Sequence, residues 1–245
     1  VATAESALTH KKILVLSSRL ILNINYYVVL MRGIETMLAD YDIELIQFTL
    51  SSSSSFTKLA NYLNNYRIDG IICIEFFEPD ILPTLTDLGY PVVFLDFPLL
   101  SQDLRGNYDI ILPESADAVK YLCMDLIRNE GCKTFGFVGD YRHCRSFYER
   151  FLGMREAMFL CGLEADLRYS ILNKDTFPYG NAKELRDALQ QLPALPDCFI
   201  AANDTIALSL LEALRLLRKK VPDDVRVTGF DNVAETKTSN PPLTT

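Results

Sequence analysis

Polar residues that form strong hydrogen bonds stand directly after several apolar runs of this sequence. The run at 199–202 is followed at once by Asn203 and Asp204, and a long apolar pattern of helical period begins there without a loop. Amide and carboxylate groups at such a junction either cap the new helix or face a ligand. Both residue types favour helix caps, so the residues themselves leave the two roles open.

The same arrangement recurs at other predicted strand ends. Asp96 ends the run VVFLD, Asp140 follows FGFVG, and Asp231 ends VTGFD. Taken singly, each is a turn former or a helix cap. Because ligands of open parallel sheets bind outside the carboxyl ends of the strands, the whole set describes the lining of a cleft. Carboxylate and amide oxygens accept hydrogen bonds from hydroxyl groups, as sugar binding requires.

Two further residues are candidates for the same cleft. Arg150 lies on a helix that follows one of these strands, where it is either a solvated surface residue or a multiple hydrogen-bond donor to a ligand. Tyr26 opens a helix after a strand, and its ring either stacks on a sugar or packs in the core. Both alternatives stay open on the residues alone.

Catalytic and metal-binding patterns are weak. The histidines, His10 and His143, have no further ligands at a suitable spacing, which disfavours a metal site. Cys144 follows His143 directly, but adjacent side chains rarely face each other as nucleophile and base. The GxGxxG, Walker A and GxSxG motifs are all missing from the sequence. We therefore expect a protein that binds its ligand without catalysis and without a metal or cofactor.

Composition bounds the class of protein. The 245 residues suffice for one large domain or two small ones, and 49% of them are apolar, as in a folded globular protein. The net charge of −8 repels phosphate backbones, so we do not expect this chain to grip nucleic acid itself. No apolar run approaches a membrane span of about 18 residues, and no signal-peptide pattern opens the sequence. Six cysteines without CxxC spacing indicate free thiols in a reducing cytoplasm.

Short apolar runs alternate with segments of helical periodicity along the whole chain. Because these runs are continuously apolar, they predict parallel strands buried on both faces, and hence an α/β fold of two doubly wound subdomains with a ligand cleft between them. We place the boundary where the predicted helix 114–131 ends in a glycine, which gives subdomains 12–131 and 132–240. The predicted strands are 12–18, 43–49, 69–75, 91–96, 108–112, 134–140, 168–173, 198–202 and 225–230.

Seven short motifs together resemble the effector-binding domain of LacI/GalR-type bacterial transcription regulators, which is similar in fold to periplasmic binding proteins of type I. The combination of ANDTIAL with VPDDVRVTGFD and LTT at the right spacing is specific. The motifs are RGIE (32–35), RIDGII (67–72), YPVVFLD (90–96), RFLGM (150–154), PDCFIAANDTIA (196–207), VPDDVRVTGFDN (221–232) and PPLTT (241–245).

The resemblance implies roles for individual residues. It places the arginine of an Arg-x-x-Gly motif at Arg150 against the effector, and it places Asn203 with its amide towards the ligand. It also implies that 241–245 is a return crossing to the first subdomain. The predicted effector site comprises Arg150, Asn203, Asp231, Tyr26, Asp204 and Asp96.

The sequence also departs from the family pattern. Pro113 and Glu114 stand where relatives often have Asp-Asn, so one effector contact that is usual in the family is not expected here. The segment SSRLILNINYY is unusually apolar, so we expect the effector to differ from an ordinary hexose. Relative to the family, a helix-turn-helix segment and the strand and helix that would follow Thr245 are missing from this sequence.

The function expected from the resemblance is effector sensing in a cytoplasmic repressor. A sugar or sugar derivative would bind between the subdomains of a homodimer, and operator DNA would be bound only through a helix-turn-helix domain absent from this chain, with no membrane partner. Exposed apolar positions within 28–31 and at Phe76, Phe77, Ile81 and Leu82 are the expected dimer surface. The alternatives are an extracytoplasmic solute-binding protein of a sugar transporter and an enzyme on a doubly wound fold.

Overall fold

The computed structural model describes residues 10–17, 25–50, 53–77, 81–99 and 104–245, which form two compact units, Val1–Leu112 and Pro113–Thr245. The strands are β1 (Lys11–Ser17), β2 (Ile43–Thr49), β3 (Gly70–Ile74), β4 (Val92–Leu95), β5 (Tyr108–Ile111), β6 (Phe135–Val138), β7 (Cys198–Ala201) and β8 (Arg226–Thr228). The helices are α1 (Asn25–Leu38), α2 (Ser53–Asn65), α3 (Leu82–Thr86), α4 (Ala116–Arg128), α5 (Arg145–Leu160), α6 (Ala182–Gln190), α7 (Asp204–Leu216) and α8 (Glu235–Thr238).

The first unit contains a parallel five-stranded sheet in the order β2-β1-β3-β4-β5. Successive side chains of a strand point to opposite faces, and both faces of β1 are covered. Leu14 and Leu16 pack in a cluster that includes Leu59 of α2, whereas Val15 packs in another that includes Met31 of α1. The continuously apolar strands are therefore explained by helices on both sides of the sheet.

The second unit repeats this strand order in a reduced form. Its sheet is β6-β7-β8, and single-residue bridges join Ile171 to Val138 on one side and Thr244 to Thr228 on the other. With these bridges counted as strands, the order matches that of the first unit. The α/β class with parallel sheets is confirmed.

The predicted strand at 168–173 is wrong in extent. Leu167–Tyr169 forms a 3₁₀ turn because the Asp166 side chain accepts a hydrogen bond from the backbone of Arg168. Beyond the turn, the Ser170 hydroxyl accepts from the Phe137 N–H at 2.9 Å, where a backbone carbonyl would stand in a regular ladder. Only Ile171 then pairs with β6.

The division into units differs from the predicted boundary at Gly131. Helix α4 packs against α5, and its residues Val119 and Cys123 belong to the core of the second unit. The segment 241–245 also differs from the expected return crossing, because Gly229 N–H donates to the Thr244 carbonyl at 2.8 Å within the second unit. The helix α4 therefore opens the second unit instead of closing the first.

Two residues from the sequence motifs fix the position of α4. The carboxylate of Glu114 accepts hydrogen bonds from the N–H groups of Asp117 and Ala118, which would otherwise be unpaired at the start of the helix. Gly153 on α5 lies against the α4 backbone, and a Cβ atom there would stand 2.3 Å from the Ala116 carbonyl oxygen. The glycine of the Arg-x-x-Gly motif thus allows the close packing of two helices.

Part of the predicted dimer surface is buried. Phe76 and Leu82 lie in the core of the first unit because they follow β3 and begin α3 on its covered face. On α1, by contrast, Val29 is 70% exposed and Met37 is 76% exposed, while Met31 is buried. The exposed apolar residues of the predicted surface are therefore concentrated on α1.

Two further sequence expectations concern thiols and membranes. All six cysteines are free thiols, and burial raises the pKa of Cys73 and Cys198. Within the described ranges, no helix is long and apolar enough to cross a membrane.

We predict that Gly153→Ala destabilises the protein by about 1–3 kcal/mol, because the new methyl group meets backbone that cannot rotate away. The Gly33→Ala variant on α1 is the matched control, since nothing lies within 4 Å of a Cβ atom there. The control should be neutral or slightly stabilising, as alanine is the better helix former. Urea unfolding followed by circular dichroism measures both, and an unchanged midpoint for Gly153→Ala would show that α4 and α5 are not in close contact.

Candidate effector site

The strand order of the second unit reverses between β6 and β7, the place where open parallel sheets bind their ligands. Three loops leave the carboxyl ends of the strands near this place. They begin after β6 at Gly139, after β7 at Ala202 and after β8 at Gly229. The predicted site residues of this unit lie on these loops, at the start of α7 and on α5, which starts after the first loop.

Arg150 is the central residue of this edge. Its side chain lies in the second turn of α5 and is only 4% exposed. One terminal nitrogen, Nη1, donates to the carbonyl of Ala202 at 2.5 Å, and Nη2 lies 3.5 Å from the Asp231 carboxylate. The alternative of a solvated surface arginine is therefore wrong.

The guanidinium of Arg150 is packed between aromatic rings. Its Cζ atom lies 3.7 Å from the ring centroid of Phe230 and 5.5 Å from that of Phe147. Cationic groups are attracted to the faces of aromatic rings, and the attraction strengthens where water is excluded. The buried Nε–H has no hydrogen-bond acceptor among the described residues. A buried donor of this kind is costly unless a ligand supplies the missing acceptor.

Asp231 is held in a strained turn. Its φ angle is 109°, and that of Asn232 is 49°, both in the region that disfavours residues with a side chain. Such conformations cost of order 1–3 kcal/mol and persist where the surrounding structure fixes them, often at ligand sites. Here Asn232 N–H donates to the Thr245 hydroxyl at 3.2 Å, which anchors the turn on its C-terminal side.

Asn203 and Asp204 divide the two roles that the sequence left open. The Asn203 side chain caps α7 by accepting from the Ile206 N–H at 3.0 Å, so its amide NH₂ is the group left to face a ligand. Asp204 is 0% exposed and accepts from the Val233 N–H at 2.9 Å. It therefore holds the loop that carries Asp231, and its contact with an effector stays a prediction.

Burial governs the electrostatics of Asp204. Loss of hydration raises the pKa of its carboxyl, while the Thr245 side chain, the Val233 and Phe230 backbone and the Arg150 charge act in the opposite direction. The carboxylate also explains the glycine of the Gly-Phe-Asp sequence. A Cβ atom on Gly229 would lie 2.0 Å from Asp204 Oδ1 and would force the loop outward.

Two of the predicted site residues belong to the first unit. Tyr26 lies in the first turn of α1 with its ring edge-on to Tyr27, the centroids 5.9 Å apart. Asp96 follows β4 with a φ angle of 63°, and its carboxylate accepts from the Phe97 N–H at 2.7 Å. Asp96 stands at a carboxyl strand end, as expected, and contact of either residue with an effector stays a prediction.

Asp140 is a turn former, one of the two roles that the sequence allowed. Its carboxylate accepts from the N–H groups of Arg142 at 3.0 Å and Asp175 at 2.9 Å. Phe147 and Phe230, which flank Arg150, did not emerge from the sequence as site residues. Phe230 stands beside Asp231 and Phe147 three residues before Arg150, but an aromatic at such a position is equally typical of a core.

Comparison with known proteins shows which proteins this chain is similar to. The sequence profile of the periplasmic binding protein-like domain matches residues 124–245. The chain is 26% identical over 220 residues to the HTH-type transcriptional regulator CelR of Thermobifida fusca. This match covers 89% of this chain and 63% of the relative. It is 28% identical over 228 residues to the HTH-type regulator GalR of Lacticaseibacillus casei, with 91% and 65% covered.

Solved structures agree in fold. A CelR–cellobiose complex superimposes with a TM-score of 0.81 at 24% identity, covering 95% of this chain and 71% of that one. A transcriptional regulator of the LacI family from Sanguibacter keddieii gives a TM-score of 0.75 at 22% identity, with 95% and 81% covered. The chain is therefore similar, in sequence and in fold, to transcription regulators of the LacI/GalR type.

The chain spans less than two thirds of the length of the CelR and GalR relatives. These relatives are transcription regulators and not enzymes, which favours the regulator interpretation over the transporter and enzyme alternatives. Among the residues that the structure describes, no group of three histidine, cysteine or acidic side chains is arranged to hold a metal ion.

Proposed function

We propose that this chain is the effector-sensing part of a cytoplasmic bacterial transcription repressor. Its effector is a sugar or sugar derivative, and binding alters operator recognition by a helix-turn-helix domain outside this sequence. The observation that carries the proposal is the buried guanidinium of Arg150, whose Nε–H has no acceptor among the described residues and whose Nη2 atom lies beside Asp231. The names of the related regulators support it.

The chemistry of these groups suits vicinal hydroxyls. A guanidinium can donate hydrogen bonds to sugar hydroxyl groups, and a carboxylate can accept hydrogen bonds from them. Neighbouring hydroxyl groups of one sugar can therefore bond to both groups at once. The Asn203 amide adds a further donor at the end of β7. A neighbour in fold has been solved with cellobiose, which supports a carbohydrate as the ligand class.

The proposed signal is a change in conformational equilibrium. A ligand shifts a two-state protein only by its difference in affinity for the two states. Contacts made by Arg150 join α5 to the ends of β7 and β8, so a ligand that completes the Nε–H hydrogen bond stabilises one arrangement of these elements. In a dimer, such a change alters the spacing of two DNA-reading domains.

We predict that Arg150→Ala weakens sugar binding by about 1.5–3 kcal/mol, the value of a charge-assisted hydrogen bond, or roughly 10- to 150-fold in Kd. Arg150→Lys should weaken it as well, because an ammonium group cannot replace the fork of the guanidinium. Isothermal titration against glucose, galactose, cellobiose and lactose measures the effect.

The matched control for Arg150 is Arg155→Ala, an exposed arginine on the same helix. Its affinity should equal that of the wild type, and thermal melts of all variants report whether they fold. Arg150→Ala with an unchanged Kd would place the sugar elsewhere, and a wild-type chain that binds none of the four sugars would exclude these hexoses and disaccharides as its effector.

We also propose that the chain is a homodimer. Val28, Val29 and Met37 are exposed apolar residues of α1, and Tyr41 is exposed just beyond it. Exposed apolar residues on one helix can mark an interface, and a two-fold dimer buries the same surface on both partners.

We predict that light scattering at micromolar concentration reports about twice the 27.7 kDa chain mass. Val29→Glu places a charge in the proposed interface and should give the monomer mass. Thr57→Glu introduces the same charge at an exposed position of α2 and should leave the dimer intact. Equal masses for the wild type and Val29→Glu would remove α1 from the interface.

A further inference from the structure

We infer that Thr245 is a positioning residue for the effector site of the second unit. Its hydroxyl group links the middle of the turn 230–233, which carries Asp231, to the buried carboxylate of Asp204 and so fixes the shape of that turn. The inference rests on the proposed function, because it concerns the geometry in which Asp231 meets an effector.

The turn that carries Asp231 depends on its surroundings for its shape. The φ angles of Asp231 (109°) and Asn232 (49°) lie in the left-handed region, which residues with a side chain disfavour. A backbone of this kind persists where neighbouring structure fixes it. The elements on either side are short, three residues in β8 and four in α8. Contacts from other parts of the chain therefore have to hold the turn.

Asp204 holds both ends of this turn. Its backbone N–H donates to the Phe230 carbonyl at 2.9 Å, and its carboxylate accepts from the Val233 N–H at 2.9 Å. The two contacts bracket the strained residues. Because Asp204 directly follows Asn203 in the chain, they also set the position of Asp231 relative to the Asn203 amide.

Thr245 supplies the contact between these two ends. The N–H of Asn232 donates to the Thr245 hydroxyl at 3.2 Å. Burial raises the pKa of the Asp204 carboxyl, and a hydrogen bond from the Thr245 side chain is the largest influence in the opposite direction. An ionised carboxylate only accepts, so the hydroxyl is the donor to Asp204, and it can accept from Asn232 at the same time.

The backbone that presents this hydroxyl is anchored to the sheet of the second unit. Gly229 N–H donates to the Thr244 carbonyl at 2.8 Å, and Thr244 pairs with Thr228 at the edge of β8. A threonine side chain is short and restricted at χ1. On a fixed backbone, the Thr245 hydroxyl is therefore placed with little loss of entropy.

The shape of the turn decides where the Asp231 carboxylate lies. In the present conformation this group is 3.5 Å from Arg150 Nη2, the other charged group of the proposed site. Without the Thr245 hydroxyl, the turn should spend part of its time in conformations that carry Asp231 away from Arg150. The apparent affinity for a ligand falls with the fraction of molecules in the binding-competent conformation. Thr245 should therefore control affinity without contacting the effector.

The first test measures the turn without any sugar. Thr245→Val replaces the hydroxyl with a methyl group, and the Asn232 amide hydrogen should then exchange with water about three- to tenfold faster, as for the loss of one hydrogen bond. Thr245→Ser keeps the hydroxyl and should keep the wild-type rate. Nuclear magnetic resonance measures the exchange, and an unchanged Asn232 rate in Thr245→Val would overturn the inference.

The second test measures affinity by isothermal titration against glucose, galactose, cellobiose and lactose. For each sugar that binds the wild type, Thr245→Val should raise Kd about three- to tenfold, whereas Thr245→Ser should stay within about twofold. The matched control is Thr238→Val, which removes an exposed hydroxyl bonded to the Glu235 carbonyl in the same part of the chain. It should change neither the affinity nor the Asn232 exchange rate.

The outcomes separate this inference from the proposed function. If Thr245→Val leaves the Kd of a bound sugar unchanged, or if Thr245→Ser weakens binding as much as Thr245→Val, the positioning role is refuted while sugar sensing stands. If the wild type binds none of the four sugars, these sugars are excluded as effectors, and the exchange rates alone decide whether the hydroxyl holds the turn.

Discussion

The buried guanidinium of Arg150 imposes the geometry of the carboxyl edge in the second unit. An arginine keeps its charge in the protein interior, so its burial must be offset by acceptors and by aromatic faces. Those partners come from different parts of the chain: the Ala202 carbonyl after β7, and Phe230 with Asp231 after β8. Asp204 then holds the second of these loops through the Val233 N–H, and Gly229 leaves room for its carboxylate. These contacts leave the Nε–H group without an acceptor among the described residues.

Much of this edge was predictable because parallel strands bring their carboxyl ends together. Residues far apart in sequence, such as Arg150 and Asp231, were expected to meet for that reason, and they lie within 3.5 Å. The division of roles between Asn203 and Asp204 was not predictable. This division depends on how deeply each side chain is buried at the junction of strand and helix. The sequence does not reveal it, because the same residue types suit a helix cap and a buried hydrogen-bond acceptor. The aromatic neighbours of Arg150 were missed for a similar reason, since a phenylalanine near a helix start is more often core than site.

The incorrect predictions about the fold also have local physical causes. The boundary between the units has no glycine-rich or serine-rich linker that would mark it in the sequence. Helix α4 belongs to the second unit because it packs on α5, and this packing requires Gly153. The periodicity of α4 alone does not show that contact. In place of the predicted strand at 168–173, the Asp166 side chain caps a turn and the Ser170 hydroxyl accepts a hydrogen bond from the Phe137 N–H. Phe76 and Leu82 were expected at a surface, but in a unit of this size they complete the core over β3. In each case a tertiary contact or a side-chain hydrogen bond outweighed the local pattern.

The central claim is that an effector binds at the unused Nε–H of Arg150, and nuclear magnetic resonance observes that group directly. The Nε–Hε resonance of Arg150, assigned through its loss in Arg150→Lys, is followed while cellobiose or lactose is added. A ligand acceptor at this atom should shift the resonance markedly and slow its exchange with water, in proportion to the bound fraction. A sugar that binds by calorimetry and leaves this resonance unchanged would show that the effector site lies elsewhere on the chain.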